Sequence, residues 1–296
     1  MKDSVLFSIV IPTYNRAHLI SVAIDSVLEQ KYQNFELIIV DDGSTDDTES
    51  VVRNFQDKRL SYYKKENGER AAARNFGNSK ATGNYITFFD SDDILYPNHL
   101  EEALKIITTF SSPEWFHLGY TINDELGKVI KSVMEITGDL NQKLVQGNFL
   151  SCNGVFLRKD VAKEFQFNED RRLSALEDWE LWLRIAAKYK LVHSNVVTSS
   201  ILNHESRSVL LTNKDNLLLR FQTFLSIVES NKKVLDFYSE RMAELRSSCY
   251  SYISLHLALT KKYKIESFKY LMKAIVEHPF CIFKRRFLAI LKHLIF

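Results

Sequence analysis

The chain has 296 residues, 45% of them hydrophobic, with 39 Lys and Arg against 37 Asp and Glu, 9 Gly and 4 Pro. That length and apolar content support a large buried core and exclude a disordered, collagen-like or low-complexity chain. The charge is uneven: residues 1–204 hold 23 basic and 29 acidic side chains, net −6, and residues 205–296 hold 16 and 8, net +8. An acidic first part argues against nucleic acid as a partner, whereas the basic remainder suits phosphates or an anionic membrane surface.

Cys152, Cys249 and Cys281 are odd in number and lack CxxC spacing, so neither a disulfide framework nor a structural zinc is expected, and a reducing compartment fits best. The apolar run 5–11, interrupted by Ser8, is too short for a signal peptide or span, and no window reaches eighteen apolar residues. The expectation is a cytoplasmic protein whose membrane contact, if any, comes from one side.

Apolar runs bounded by turn residues recur early: FSIVI (7–11), ELIIV (36–40), LSYY (60–63) and NYITFF (84–89), each reading as a buried strand. Helical patterns alternate with them over 17–30, 46–55 after a Ser44/Thr45 cap, and 69–81. Strand and helix in alternation predict an α/β chain with a mostly parallel sheet flanked by helices, and ligands bind outside the carboxyl ends of such strands. A helix over 97–110, a hairpin over 115–133 turning near 124–127, a strand over 154–158, a helix over 179–188 and extended segments near 190–192 and 196–202 follow, which makes the sheet mixed. Beyond 209 the pattern is amphipathic helices, read as a separate basic helical extension over 205–296 after a catalytic domain over 1–204.

The chemistry collects at strand ends. Asp90-Ser91-Asp92-Asp93 follows an apolar strand, where clustered carboxylates are costly unless a cation or polar ligand offsets them. Asp90 and Asp92 can offer oxygens to Mg or Mn while leaving positions for phosphate oxygens; the same residues also suit a solvated turn capping the next helix. Asp41-Asp42-Gly43-Ser44-Thr45-Asp46 has turn and cap chemistry too, yet a strand-end carboxylate can accept from the N–H of a uracil ring. Tyr14, just past the first strand, offers a face for a flat base or an ordinary core contact.

SIVIPTYNR, FELIIVDDGSTDDT, ARNFGNSKATGNYITFFDSDD and LEDWELWLR, in this order over residues 7 to about 204, resemble the family 2 glycosyltransferases of the type A fold. The resemblance implies transfer of a sugar from a nucleotide diphosphate donor, expected to be a UDP-sugar, to an acceptor hydroxyl with inversion. By motif position Pro12, Tyr14 and Asp42 hold the nucleoside, Arg74 faces the donor, Asp90 and Ser91 also bind the nucleotide-sugar, and Asp90 and Asp92 form the acidic metal motif. Asp178 is the expected general base, placed remote from the metal motif as an inverting displacement requires; capping of the helix that begins there is the other reading. His204 matches a family position that reaches the metal or diphosphate, although imidazole suits Mn better than Mg. Trp179 and Trp182 could line an acceptor pocket, but their spacing of three favours core packing for Trp182.

Other functions fit less well. A haloacid-dehalogenase-type phosphatase wants Thr or Val where Ile94 stands, an EF-hand wants Gly at Leu95, and no G-x-G-x-x-G follows the first strand. A non-catalytic nucleotide-sugar-binding protein would dispense with the Glu177-Asp178 pair, which is present. The expected partners are therefore a nucleotide-sugar and a saccharide or lipid-linked acceptor, in polysaccharide or glycolipid synthesis, with oligomerisation left open and the acceptor loop placed near 151–154. At the C-terminus, Phe283, Phe287, Ile290, Leu291 and Leu294 share one helical face opposite Arg285, Arg286, Lys292 and His293. That pattern suits an anionic membrane interface or docking on neighbouring helices.

Overall fold

A computed structural model describes residues 4–124, 126–132, 137–203 and 213–295. Strands β1 (Phe7–Thr13), β2 (Phe35–Asp41), β3 (Leu60–Lys64) and β4 (Tyr85–Phe88) pair in parallel in the order β3-β2-β1-β4. The sheet continues through β8 (Val155–Arg158), β6 (Trp115–Asn123), β9 (Val192–Leu202) and the two-residue β5 (Ile94–Leu95), with β7 (Val129–Ser132) on β6. The β4–β8, β8–β6, β9–β5 and β6–β7 pairings are antiparallel and β6–β9 is parallel, the mixed sheet expected from the sequence. The two extended segments expected near 190–202 are one strand, which bulges where it passes Gly119; a Cβ there would lie 2.8 Å from Asn195 O.

Alternation along β1 and β2 divides the core between the faces of the sheet. Phe7, Ile9 and Ile11 point with Leu37 and Ile39 toward helices α1 (Ile20–Leu28) and α4 (His99–Thr109). Val10, Ile38 and Val40 point the other way, toward α3 (Glu69–Lys80) and α7 (Glu177–Ala186). Helices α2 (Thr48–Arg53), α5 (Leu140–Lys143) and α6 (Lys159–Glu164) fill connections. After residue 213 come α8 (Lys214–Ser230), α9 (Lys232–Tyr238), α10 (Met242–Leu259), α11 (Lys264–Glu277) and α12 (Arg285–Ile295). Phe221 and Phe224 of α8 and Leu245 and Ile253 of α10 join the core that holds Trp179 and Trp182.

Two local details position the site. Gly77 lets α3 lie hard against the sheet, since a Cβ there would sit 2.3 Å from Val10 Cγ1; this sets Arg74, one turn earlier, beneath the strand ends. Helix α1 starts at Ile20 rather than 17 because the preceding loop is stitched to the loop after β2. Asn15, at φ 51°, donates its N–H to Ser44 Oγ at 2.9 Å, while Arg16 N donates to Thr48 Oγ1 at 2.9 Å and Ala17 N to Asp46 Oδ2 at 3.1 Å. Asp46, not Ser44 or Thr45, accepts from Thr48 N at the start of α2, at 3.1 Å.

The face of the C-terminal segment expected to meet lipid or neighbouring helices packs on α10 and α11: Ile290 is fully buried and Phe287, Leu291 and Leu294 are half-buried. Phe283 is not on that helix but in the 3-10 turn Pro279–Phe283 before it, and is exposed.

Candidate active site

Parallel pairing aligns the ends of β1, β2 and β4. Thr13 lies opposite Asp41, Asp42 N donates to Thr13 O at 2.8 Å, and Phe89 N donates to Val10 O at 2.9 Å. Pro12, Tyr14, Asp42, Asp90, Ser91 and Asp92 are thereby brought around one cavity of about 400 Å³. This is the size of a small-molecule cleft, and six of the residues selected from sequence line it.

The two carboxylates after β2 have separate tasks. Asp41 is fully buried, accepting from Ser44 N at 2.7 Å and Tyr62 OH at 2.6 Å, so it shapes the loop. Asp42 gathers its protein partners on Oδ1, from Lys65 Nζ at 2.7 Å and Gly68 N at 2.9 Å. No protein donor among the described residues meets its Oδ2, which leaves that oxygen to accept a ligand N–H. Gly43, at φ 85°, makes the turn that follows them. Tyr14 is 46% exposed at the cavity, as a stacking platform requires.

The acidic turn divides likewise. Asp93 is turned into the protein, where Asn153 Nδ2 donates to it at 2.6 Å and Leu202 N at 3.0 Å; burial, then the charges of Asp92 and Asp90, pushes its pKa well up. Asp90 and Asp92 face the cavity instead. Hard carboxylate oxygens on a strand-end turn fit a divalent ion that takes its remaining ligands from phosphate and water. Among the described residues no third His, Cys, Asp or Glu completes a metal-binding group, and His204 lies outside them.

Arg74 stands behind the cavity wall rather than in it. It is 2% exposed, with Nη2 donating to Asp90 Oδ1 at 2.7 Å and Nη1 to Glu177 Oε1 at 3.0 Å. Arg70, one turn earlier on α3, lines the cavity and brings Nε to 3.7 Å from the same Glu177 oxygen. Arg16 and Asn67 also line it. None of these was singled out from sequence, although the four-residue spacing of Arg70 and Arg74 puts two cations on one helix face.

Asp178 follows Glu177 at the start of α7 and accepts from Asn148 Nδ2 at 2.8 Å and from Trp179 N at 2.7 Å. It is partly exposed beside the cavity, linked to it through Glu177, Arg74 and Asp90. Desolvation, then the adjacent Glu177 charge, raises its pKa to about 7, against the pull of Arg74. A carboxylate tuned to neutrality is what proton abstraction near pH 7 calls for.

Both tryptophans pack in the core. Trp182 is fully buried and stacks on Trp115 at 6.1 Å; Trp179 stacks on Phe224 at 4.6 Å and donates Nε1–H to Leu144 O at 2.8 Å. Residues 151–154, expected at the acceptor, are buried behind the acidic turn: Asn153 Oδ1 accepts from Asp90 N at 3.1 Å, and a Cβ on Gly154 would lie 2.5 Å from Leu118 O. Through Asn153 they support Asp90 and Asp93.

A sequence model of glycosyl transferase family 2 matches residues 8–111. An Escherichia coli UDP-Glc:alpha-D-GlcNAc-diphosphoundecaprenol beta-1,3-glucosyltransferase is 35% identical over 187 residues, covering 62% of this chain and 70% of that protein. An uncharacterized glycosyltransferase of Rickettsia felis is 38% identical over 184 residues, or 61% of this chain, and here the alignment spans 30% of the relative's length. Among solved structures, residues 1–349 of S. aureus TarS in complex with UDP-GlcNAc superpose with a TM-score of 0.64 at 18% identity, covering 93% of this chain and 91% of that one. A Pyrobaculum calidifontis mannosyltransferase in complex with GDP-Man and Mn2+ gives 0.60 at 16%, covering 98% and 86%. At such identities the superpositions speak for the fold, which is the type A glycosyltransferase fold. With the motifs collected around one cavity and a relative matched over most of its length, the chain belongs to glycosyl transferase family 2.

Proposed function

We propose that the chain transfers a sugar from a nucleotide diphosphate donor, a UDP-sugar, to an acceptor hydroxyl with inversion, in the synthesis of a polysaccharide or glycolipid. The observation that carries this is the placement of two carboxylate sets, Asp90 with Asp92 in the cavity and Asp178 beside it, on either side of the Arg74–Glu177 pair. Tyr14 would stack on the base and Asp42 Oδ2 would accept its ring N–H. Asp178 would take the proton of the acceptor hydroxyl as the acceptor oxygen bonds to the anomeric carbon; the carbon–oxygen bond to the diphosphate breaks, and the diphosphate leaves with the electron pair. A divalent ion held by Asp90 and Asp92, with His204 as the family's third candidate, supplies charge neutralisation of that leaving group when bound. The relatives support a UDP donor, since one is named for UDP-Glc and one was solved with UDP-GlcNAc. We assign donor binding and chemistry to residues 1–204 and the acceptor side to the C-terminal helices.

Thermal shift with UDP, GDP and their sugars, with and without Mn2+, tests the donor, because a ligand that prefers the folded state raises its melting temperature. Asp92→Asn is expected to abolish the metal-dependent part of the UDP shift. Wild-type turnover by that variant in the presence of chelator would remove the metal role.

No helix among the described residues is long and apolar enough to cross a membrane. Instead, α11 presents an exposed apolar stripe, Ile265, Phe268, Met272 and Val276, continued in the chain by Phe280 and Phe283 and accompanied by Lys269 and Lys273. We place a peripheral contact with the cytoplasmic membrane face on this stripe, because apolar side chains beside lysines match an anionic interface. Anionic vesicles should co-sediment the protein in a salt-sensitive manner, and the Ile265→Ser, Val276→Ser double variant should bind several-fold less. Equal binding by both proteins would remove α11 from the contact.

A further inference from the structure

We propose that the C-terminal helices form a second binding site, an anion pocket around Arg286 that receives a phosphate or diphosphate group carried by the acceptor; this rests on the glycosyl-transfer reading above. The pocket is a cavity of about 170 Å³ between α10, α11 and α12, walled by Gln146, Ser251, Leu271, Cys281 and Phe287, with Lys284 and Arg286 supplying charge. It is smaller than the roughly 300–1,000 Å³ of a drug-sized cleft, and so suits a compact polar group rather than a sugar nucleotide.

The charges in it are unbalanced. Lys284 is matched by Glu244 at 2.9 Å, and Glu244 also holds Arg241 at 2.5 Å. Arg286 is partly buried, and its partners among the described residues are neutral: Nη1 donates to Ser248 O at 3.0 Å and Ser251 Oγ at 3.1 Å, and the guanidinium lies 5.7 Å from the centre of the Tyr252 ring. No carboxylate among the described residues forms an ion pair with Arg286 or with Arg220 of α8, which acts on the same Tyr252 hydroxyl. His256 stacks on Tyr252 at 4.2 Å, and burial, then the charges of Arg286 and Arg220, lowers its pKa, so it brings no counter-charge. A partly desolvated Arg286 guanidinium with no carboxylate in an ion pair, whose Tyr252 neighbour also feels the charge of Arg220, is costly unless a ligand supplies negative charge. Arginine forks are suited to phosphate oxygens.

The pocket also adjoins the proposed base. A Cβ built on Gly147, whose φ is 142°, would lie 3.7 Å from Arg286 Nη2, and the next residue, Asn148, donates to Asp178 Oδ2 at 2.8 Å. The same short segment thus touches the cation that would hold the acceptor phosphate and the carboxylate that would deprotonate the acceptor hydroxyl. A phosphorylated acceptor can come from a lipid-linked diphosphate or from a soluble phosphosugar or phosphopolymer, and the pocket chemistry is shared by both.

The test is titration of the full chain with inorganic pyrophosphate and with geranyl diphosphate, chelator present to suppress metal-assisted binding in the donor cavity. Both anions should bind wild type, and Arg286→Gln should weaken binding about tenfold or more, the usual effect of losing charge-assisted hydrogen bonds. Tighter binding of geranyl diphosphate supports a lipid-linked source; equal binding of the two supports a soluble one. UDP binding with Mn2+ should be unchanged in Arg286→Gln, so loss of UDP binding in wild type would count against the donor reading and leave the pocket standing. A readout that needs no variant is alkylation of Cys281, which pyrophosphate should slow relative to Cys152. The proposal is overturned if neither anion binds wild type, if folded Arg286→Gln binds them as wild type does, or if Cys281 labels at the same rate with and without pyrophosphate.

Discussion

Asp178→Asn is expected to slow sugar transfer by about 10²–10⁴-fold, the range for a lost general base, while changing UDP affinity by less than about twofold. The separation follows from position: Asp178 is joined to the donor cavity through Glu177, Arg74 and Asp90 and does not line it. The carboxamide oxygen of that variant can keep the bond from Trp179 N, and the side-chain amide of Asn148 can turn to accept from the new NH2 group, so the local fold should survive. Equal loss of rate and donor affinity would mean that Asp178 holds the donor.

The raised pKa makes a second readout. The wild-type rate should climb with unit slope below about pH 7 and level off above it, as the carboxyl gives up its proton. Stability runs the other way. The folded-state pKa is about 7 against an ordinary 3.8, so the folded protein holds this proton more tightly than the unfolded chain. The site's contribution to stability is full below about pH 4 and is lost as pH rises through about 7. Asp178→Asn, having no proton to lose, should therefore gain melting temperature relative to wild type over that window. A pH-independent difference in melting temperature would mean that Asp178 is an ordinary solvated carboxylate.

The strands of the first half and the acids after them were legible because both signals are local: apolar runs are followed directly by Asp41-Asp42 and Asp90-Asp93. What each acid does is set at long range. Asp93 differs from Asp92 because Asn153 and Leu202, 60 and 109 residues away, reach Asp93. Arg74 could be placed near the donor by motif, but its burial depends on Gly77 bringing α3 against Val10, and on Glu177 arriving 103 residues later. Residues 151–154, expected near the acceptor, are buried behind the acidic turn, a placement set by tertiary packing that the local sequence does not carry. The C-terminal periodicity marked the apolar face of α12 but extended it to Phe283, which lies before the helix; that α12 turns this face to α10 and α11, leaving α11 with the exposed stripe, is a choice between partners that periodicity does not encode.

Arg74→Met should cost about 3–5 kcal/mol of stability, the usual result of removing one partner from a buried ionic group. Glu177 is 4% exposed and would keep Arg70 at 3.7 Å, whereas Asp90 is 34% exposed and can be rescued by water. The network is already under-bonded, since Glu177 Oε2 and Arg74 Nε have no hydrogen-bond partner among the described residues. Most of the cost should therefore be the uncompensated Glu177 charge, and Glu177→Gln in the Arg74→Met background should recover part of it. The coupling measured by such a cycle should exceed about 1 kcal/mol in urea unfolding, as for other groups sharing one network. Strictly additive losses would show that Arg74 acts by packing alone. Removing Arg74 also takes away a charge that holds the pKa of Asp178 down, so whatever activity the single variant retains should have its rising limb displaced above pH 7. A limb left at the wild-type position would separate Asp178 from the Arg74 network.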